Sequence, residues 1–194
     1  MPTRLRVLGF AGSLRKGSYN RALLNTAVEL APDTMEFIIF DLASIPFYNQ
    51  DVEDHEDPAS VTAFKRAIAE SDALLICTPE YNYSIPGVLK NALDWASRSA
   101  KTTPLQGKPV AVMGASTGGF GTARCQMALQ NLFAACGMHP LNSHRVLIAH
   151  AEEKFDESGR LIDTATRRIV KESLTALAEW TLILQRGKTS VQKV

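Results

Sequence analysis

The strongest constraint on this chain is an alternation of short aliphatic runs with stretches of helical spacing. Arg6-Val7-Leu8-Gly9-Phe10, Met35-Glu36-Phe37-Ile38-Ile39-Phe40, Ala73-Leu74-Leu75-Ile76-Cys77, Pro109-Val110-Ala111-Val112-Met113 and His144-Arg145-Val146-Leu147-Ile148 read as five strands. The spacing between them predicts helices over residues 20–30, 60–71, 88–97, 122–136 and 166–184. The first stops before Pro32 and the fourth at Gly137, both favoured helix stops. Residues 43–57, with Pro46 and many acids, read as irregular. Strands that alternate with helices imply an α/β fold: an open parallel sheet with helices on both faces. The 194 residues then form one domain, expected over residues 1–186, with a flexible tail over 187–194.

Three strand-to-helix connections are unusual, and in such a sheet they share its carboxyl edge, where ligands bind. The first is Gly12-Ser13-Leu14-Arg15-Lys16-Gly17-Ser18-Tyr19-Asn20. Its glycines permit a tight turn, its serines and Asn20 supply small hydrogen-bonding groups, and a helix begins at its end with free N–H groups. Arg15 can grip a phosphate with two prongs and Lys16 adds charge, so this loop reads as an anion site. It is not a Walker loop, because Ser18 stands where the lysine would be, and Leu14 breaks Gly-x-Gly-x-x-Gly. A tyrosine-phosphatase loop would need a cysteine that Gly12-Ser13 lacks. Asp41, closing the second strand, reads as a loop cap.

The second connection, Pro79-Glu80-Tyr81-Asn82-Tyr83-Ser84-Ile85-Pro86-Gly87, is stiffened by two prolines and offers rings, hydroxyls and an amide. The plainer alternative is that its tyrosines cap the core while Glu80 is solvated. The third, Ser116-Thr117-Gly118-Gly119-Phe120-Gly121, leaves backbone N–H groups open to a ligand. N–H groups aimed at the pyrimidine end of a flavin would stabilise negative charge there. An anion site beside ring-binding loops points to a phosphorylated flat ring, flavin mononucleotide (FMN).

The net charge is +1, and no basic stripe suggests nucleic acid. Cys77, Cys125 and Cys136 are odd in number and lack Cys-x-x-Cys spacing, which favours a reducing compartment, the cytoplasm. Met1 through Arg6 runs straight into a strand, so no signal peptide is expected, and no apolar run reaches membrane-spanning length. His55, His139, His144 and His150 lack metal-ligand spacing, and Gly-x-Ser-x-Gly is missing. No metal site and no catalytic acid or base is therefore nominated.

The first loop, the run Pro79-Glu80-Tyr81-Asn82-Tyr83-Ser84-Ile85-Pro86-Gly87-Val88-Leu89-Lys90-Asn91-Ala92-Leu93-Asp94-Trp95, and Ser116-Thr117-Gly118-Gly119 together resemble the NADPH-dependent FMN reductase family. Within it the chain is similar to the bacterial chromate and quinone reductases. The resemblance covers about the first 150 residues, while Lys154 onward carries nothing diagnostic. It implies a flavodoxin-like three-layer sandwich with a five-stranded parallel sheet and a noncovalent FMN. Ser13, Arg15, Ser18 and Asn20 would hold the phosphate, with Tyr19 in the same loop. Pro79, Glu80, Tyr81 and Asn82 would line one side of the ring, and Ser116, Gly118 and Gly119 the other. The implied activity passes hydride from NAD(P)H through FMN to quinones, chromate, azo compounds or free flavin. A homodimer or homotetramer is implied too, with Arg124 and Trp95 as interface candidates. The alternative from another class is a flavodoxin-type electron carrier, although such carriers are usually strongly acidic.

Overall fold

Residues 4–98 and 103–191 are described by a computed structural model of the chain, so Met1, Pro2, Thr3 and positions 192–194 of the expected tail lie outside the described residues. Five strand positions form one parallel sheet. β1 (Leu5–Ala11) has β2 (Met35–Phe40) on one side and β3 (Ala73–Cys77) on the other, and β4 (Pro109–Ala115) follows β3. Two short strands, β5 (His139–Pro140) and β6 (Val146–Ile148), share the position beside β4. The expected fifth strand is thus shorter than predicted and preceded by a fragment. Pro140 has no N–H, which an edge strand tolerates: His139 and Leu141, on either side of it, donate to the residue before β4 and to β4, and pairing resumes at Val146.

Alternation along the central strands separates two apolar layers. Leu75, Cys77, Ala111 and Met113 face α1 (Tyr19–Glu29) and α7 (Thr164–Val191). Leu74, Ile76, Val110 and Val112 face α3 (Ala59–Glu70), α4 (Gly87–Ser97) and α5 (Ala123–Ala135). β3 and β4 are buried along their whole length, as expected of strands covered on both faces. This is the three-layer α/β sandwich that the sequence predicts. A 3-10 turn (Leu42–Ser44) and the short α2 (Gln50–Glu53) occupy the segment read as irregular. α7 begins at Thr164, where Asp163 accepts from the Thr166 N–H at 2.9 Å, and continues past Gly187 to Val191.

Register decides where the loops begin. Ala11 pairs with Cys77, Cys77 with Met113, and Ala115 with Ile148. The ladder then extends one residue beyond each strand: Gly12 N–H donates to Cys77 O at 2.8 Å, Thr78 N–H to Met113 O at 2.9 Å and Ser116 N–H to Ile148 O at 2.9 Å. Gly12 must be glycine for close approach, because a Cβ would stand 2.6 Å from Thr78 Oγ1. The chain reverses strand order at β1, so these loops flank the switch point of the sheet.

Candidate functional site

The first loop ends in a capped helix. Ser18 Oγ accepts from the Asn20 and Arg21 N–H groups at 3.2 and 3.4 Å, and both Ser18 and Ser13 are nearly buried. Ser13 Oγ accepts from the Arg15 N–H at 3.4 Å. Arg15 and Lys16 are exposed, and neither meets a carboxylate among the described residues. The Arg15 guanidinium lies 5.8 Å from the Tyr19 ring centroid, and Tyr19 packs on Phe155 at 5.3 Å. Two cations with no acid partner at the positive end of a helix make a local field that attracts anions.

Asn20 ties two elements together. Its Nδ2 donates to Ala115 O and its Oδ1 accepts from the Ala115 N–H, each at 2.9 Å, in a buried setting. One Nδ2 N–H and the Oδ1 are committed in this way. The amide fastens the start of α1 to the end of β4.

In the second loop Tyr81 and Ser84 exchange backbone hydrogen bonds of 3.2 and 3.0 Å around a two-residue turn. Asn82 and Tyr83 sit at φ 49° and 62° in that turn. Asparagine tolerates this region, but a tyrosine there is held against its backbone preference. The two tyrosines do not cap the core, since Tyr81 is 52% and Tyr83 70% exposed. Pro79 is buried. Glu80 is not solvated either, with a side chain only 8% exposed. Its Oε2 accepts from the Arg124 and Cys125 N–H groups at 2.9 and 3.0 Å, and its Oε1 meets Arg124 Nη1 at 3.4 Å. α5 has no cap from its own Thr122 side chain, so Glu80 supplies one from the neighbouring loop.

The third loop turns on Ser116, whose Oγ accepts from the Gly118 N–H at 3.1 Å. A side chain added at Gly118 would meet only Ser116 Oγ, at 3.6 Å, so the backbone is open on that side. At Gly119 the nearest atom would be His150 Nε2, also at 3.6 Å. His150 is itself left-handed at φ 49°. The next residue, Ala151, opens the short α6 (Ala151–Lys154) and donates to Ser116 O at 3.1 Å, which stitches the chain after β6 to the third loop.

A cavity of about 590 Å³ opens between the second and third loops. It brings together five expected residues, Glu80, Asn82, Ser116, Gly118 and Gly119, and its remaining walls are Tyr83, Phe120, Gly121 and Arg124. Ser13, Arg15, Ser18, Tyr19, Pro79 and Tyr81 are not among its walls, and the first loop stands beside it at the end of the neighbouring strand. Sequence reasoning missed Arg124 as a site residue because its partner Glu80 lies 44 positions away. The available signal was its place in the first turn after the third loop. Trp95, the other interface candidate, is fully buried and donates to Pro46 O at 2.8 Å, so it belongs to the core. Burial pushes the Cys125 thiol up to about 12 and raises that of Cys77 as well, which keeps both protonated.

These features fit FMN. The volume lies in the usual range for cofactor sites, roughly 300–1,000 Å³. Its walls offer backbone N–H groups and an amide, and cations without an acid partner among the described residues stand one strand away for a phosphate.

Comparison with known proteins agrees with this geometry. The family model described as NADPH-dependent FMN reductase matches residues 5–153. The chain is 47% identical over 180 residues to an NAD(P)H-dependent FMN reductase of Pseudomonas aeruginosa, covering 93% of this chain and 97% of that one. It is 40% identical over 176 residues to a 2-hydroxy-1,4-benzoquinone reductase of a Burkholderia species, covering 91% and 96%. Among solved structures, a flavoenzyme NAD(P)H:(acceptor) oxidoreductase from Paracoccus denitrificans superposes with a TM-score of 0.84 at 35% identity, over 91% of this chain and 97% of that one.

Proposed function

The chain belongs to the NADPH-dependent FMN reductase family, and from that premise we propose how its carboxyl sheet edge holds the cofactor and which acceptors it serves. It is an oxidoreductase that uses FMN and NAD(P)H. When bound, FMN supplies two-electron transfer between NAD(P)H and an acceptor. Ser13, Arg15, Ser18 and the backbone at Tyr19 bind the phosphate. Asn82 and the backbone of Pro79 to Tyr81 orient one edge of the ring, and the Ser116 hydroxyl with the backbone of Gly118 and Gly119 meets the other. Asn20 and Glu80 hold these loops in place. Quinones are the acceptors, entering the outer part of the cavity beside Tyr83 and Phe120. One domain carries the activity, as a homodimer or homotetramer in the cytoplasm. The exposed Phe47 and Met127 support self-association, and the free cysteines support a reducing compartment.

The observation that carries this reading is the pairing of cations after β1, without an acid partner among the described residues, with a polar-walled cavity after β3 and β4. Titrating the apoprotein with FMN and with riboflavin tests it. Arg15→Ala should weaken FMN by roughly 10–100-fold, the loss of one charged hydrogen bond, and leave riboflavin binding as it was. An unchanged preference for FMN over riboflavin would remove Arg15 from the site.

A further inference from the structure

Glu80 and Arg124 are the charged side chains in the walls of the cavity, and they are not equivalent. The Glu80 carboxylate is nearly buried and spent on two backbone N–H groups at the start of α5. Arg124 remains 38% exposed and gives Glu80 a single long contact of 3.4 Å. Its other guanidinium N–H groups have no hydrogen-bond partner among the described residues. Two rings flank it: the guanidinium carbon is 4.1 Å from the Tyr83 centroid and 4.4 Å from that of Phe120. Both rings are largely exposed, and Tyr83 is held at a φ of 62° to be there.

One long contact to a carboxylate already held by two backbone N–H groups does not account for a strained tyrosine and two rings left in water. Together the parts make a planar, permanently charged fork beside flat apolar faces at the mouth of a cavity. Guanidinium matches carboxylate and sulfonate oxygens in pairs, and the rings offer stacking area to an aromatic body. We propose that Arg124, braced by Tyr83 and Phe120, is an anion-recognising subsite of the acceptor pocket, which selects quinones carrying a negative charge over neutral ones. This rests on the flavin-reductase reading above and adds the charge of the substrate.

The test is steady-state turnover of the FMN-loaded enzyme with NADH, comparing naphthoquinone with naphthoquinone sulfonate. In Arg124→Gln the ratio of the KM for the sulfonate to that for the neutral quinone should rise roughly tenfold or more. Added salt should raise the sulfonate KM of the wild type and lose this effect in the variant. Arg124→Lys, which keeps the charge but not the fork, should fall between the two, and its thermal midpoint shows whether the fold is intact. Equal changes in both KM values would overturn the proposal. So would a change confined to NADPH against NADH, which would make Arg124 a nucleotide contact, or an altered sedimentation coefficient with unchanged quinone selectivity, which would make it a subunit contact. If the wild type reduces neither quinone, the acceptor reading itself fails, a result distinct from all of these.

Discussion

Asn20 offers the sharpest test of how the site is built. Its amide closes a two-bond ring with the backbone of Ala115, and both residues are about 2% exposed. Asn20→Ala would strand one buried N–H and one buried C=O. Each orphaned group costs about 1–3 kcal/mol, and the better helix propensity of alanine returns only about 0.5 kcal/mol. The expected loss is therefore about 2–5 kcal/mol, a large share of the roughly 5–15 kcal/mol that holds a domain together. For a chain of this length it corresponds to roughly 5–15 °C in Tm. Asn20→Asp is the matched control in volume. It keeps an acceptor for the Ala115 N–H but turns a second oxygen on the carbonyl, so it should lose as much. Urea unfolding followed by far-ultraviolet circular dichroism measures both. If both variants lie within about 1 kcal/mol of wild type, the two bonds do not fasten the loops. Because α1 begins at Tyr19, loosening it should also weaken FMN and riboflavin together, unlike a change at Arg15.

Two further expectations follow from packing and burial. Phe155 lies beyond the span matched by the family model and supports Tyr19, over which Arg15 lies. Phe155→Leu should reduce FMN affinity by roughly 2–12-fold, the worth of one aromatic pair, with riboflavin affinity unchanged when both are followed by flavin fluorescence. Cys77 and Cys125 stay protonated in the fold because burial raises both above their ordinary value of 9.0, Cys125 to about 12. Above pH 9 the unfolded chain releases these protons first, so stability should fall as pH rises, by up to about 1.4 kcal/mol per pH unit for each thiol. Urea midpoints from pH 8 to 11 should show a shallower alkaline decline in Cys77→Ala, and an identical decline would refute the assignment.

What was legible in the sequence, and what was not, divides by the range of the interaction. β2 and β3 were readable to the residue, because buried aliphatic runs and their breakers are local signals. β4 runs two residues further than its pattern, through Gly114 and Ala115, since a glycine reads as a turn when its partner strand is unseen. The cap at Ser18 is local too, whereas the cap on α5 comes from Glu80, 44 positions before Arg124, and the lock on α1 reaches from Asn20 across 95 positions. Both residues were expected at the ligand, and each fastens one loop to another. These ties were unseen for a physical reason: a polar residue in a ligand-edge loop has the same local signature whether it meets cofactor or backbone. The consequence is a site whose loops are tied together before anything binds, so little ordering remains to oppose binding. In the proposed reading the cofactor meets open backbone and Arg15, which has no acid partner among the described residues. Substitution at a fastener should therefore weaken every flavin alike, while substitution at Arg15 should be felt only by flavins that carry a phosphate.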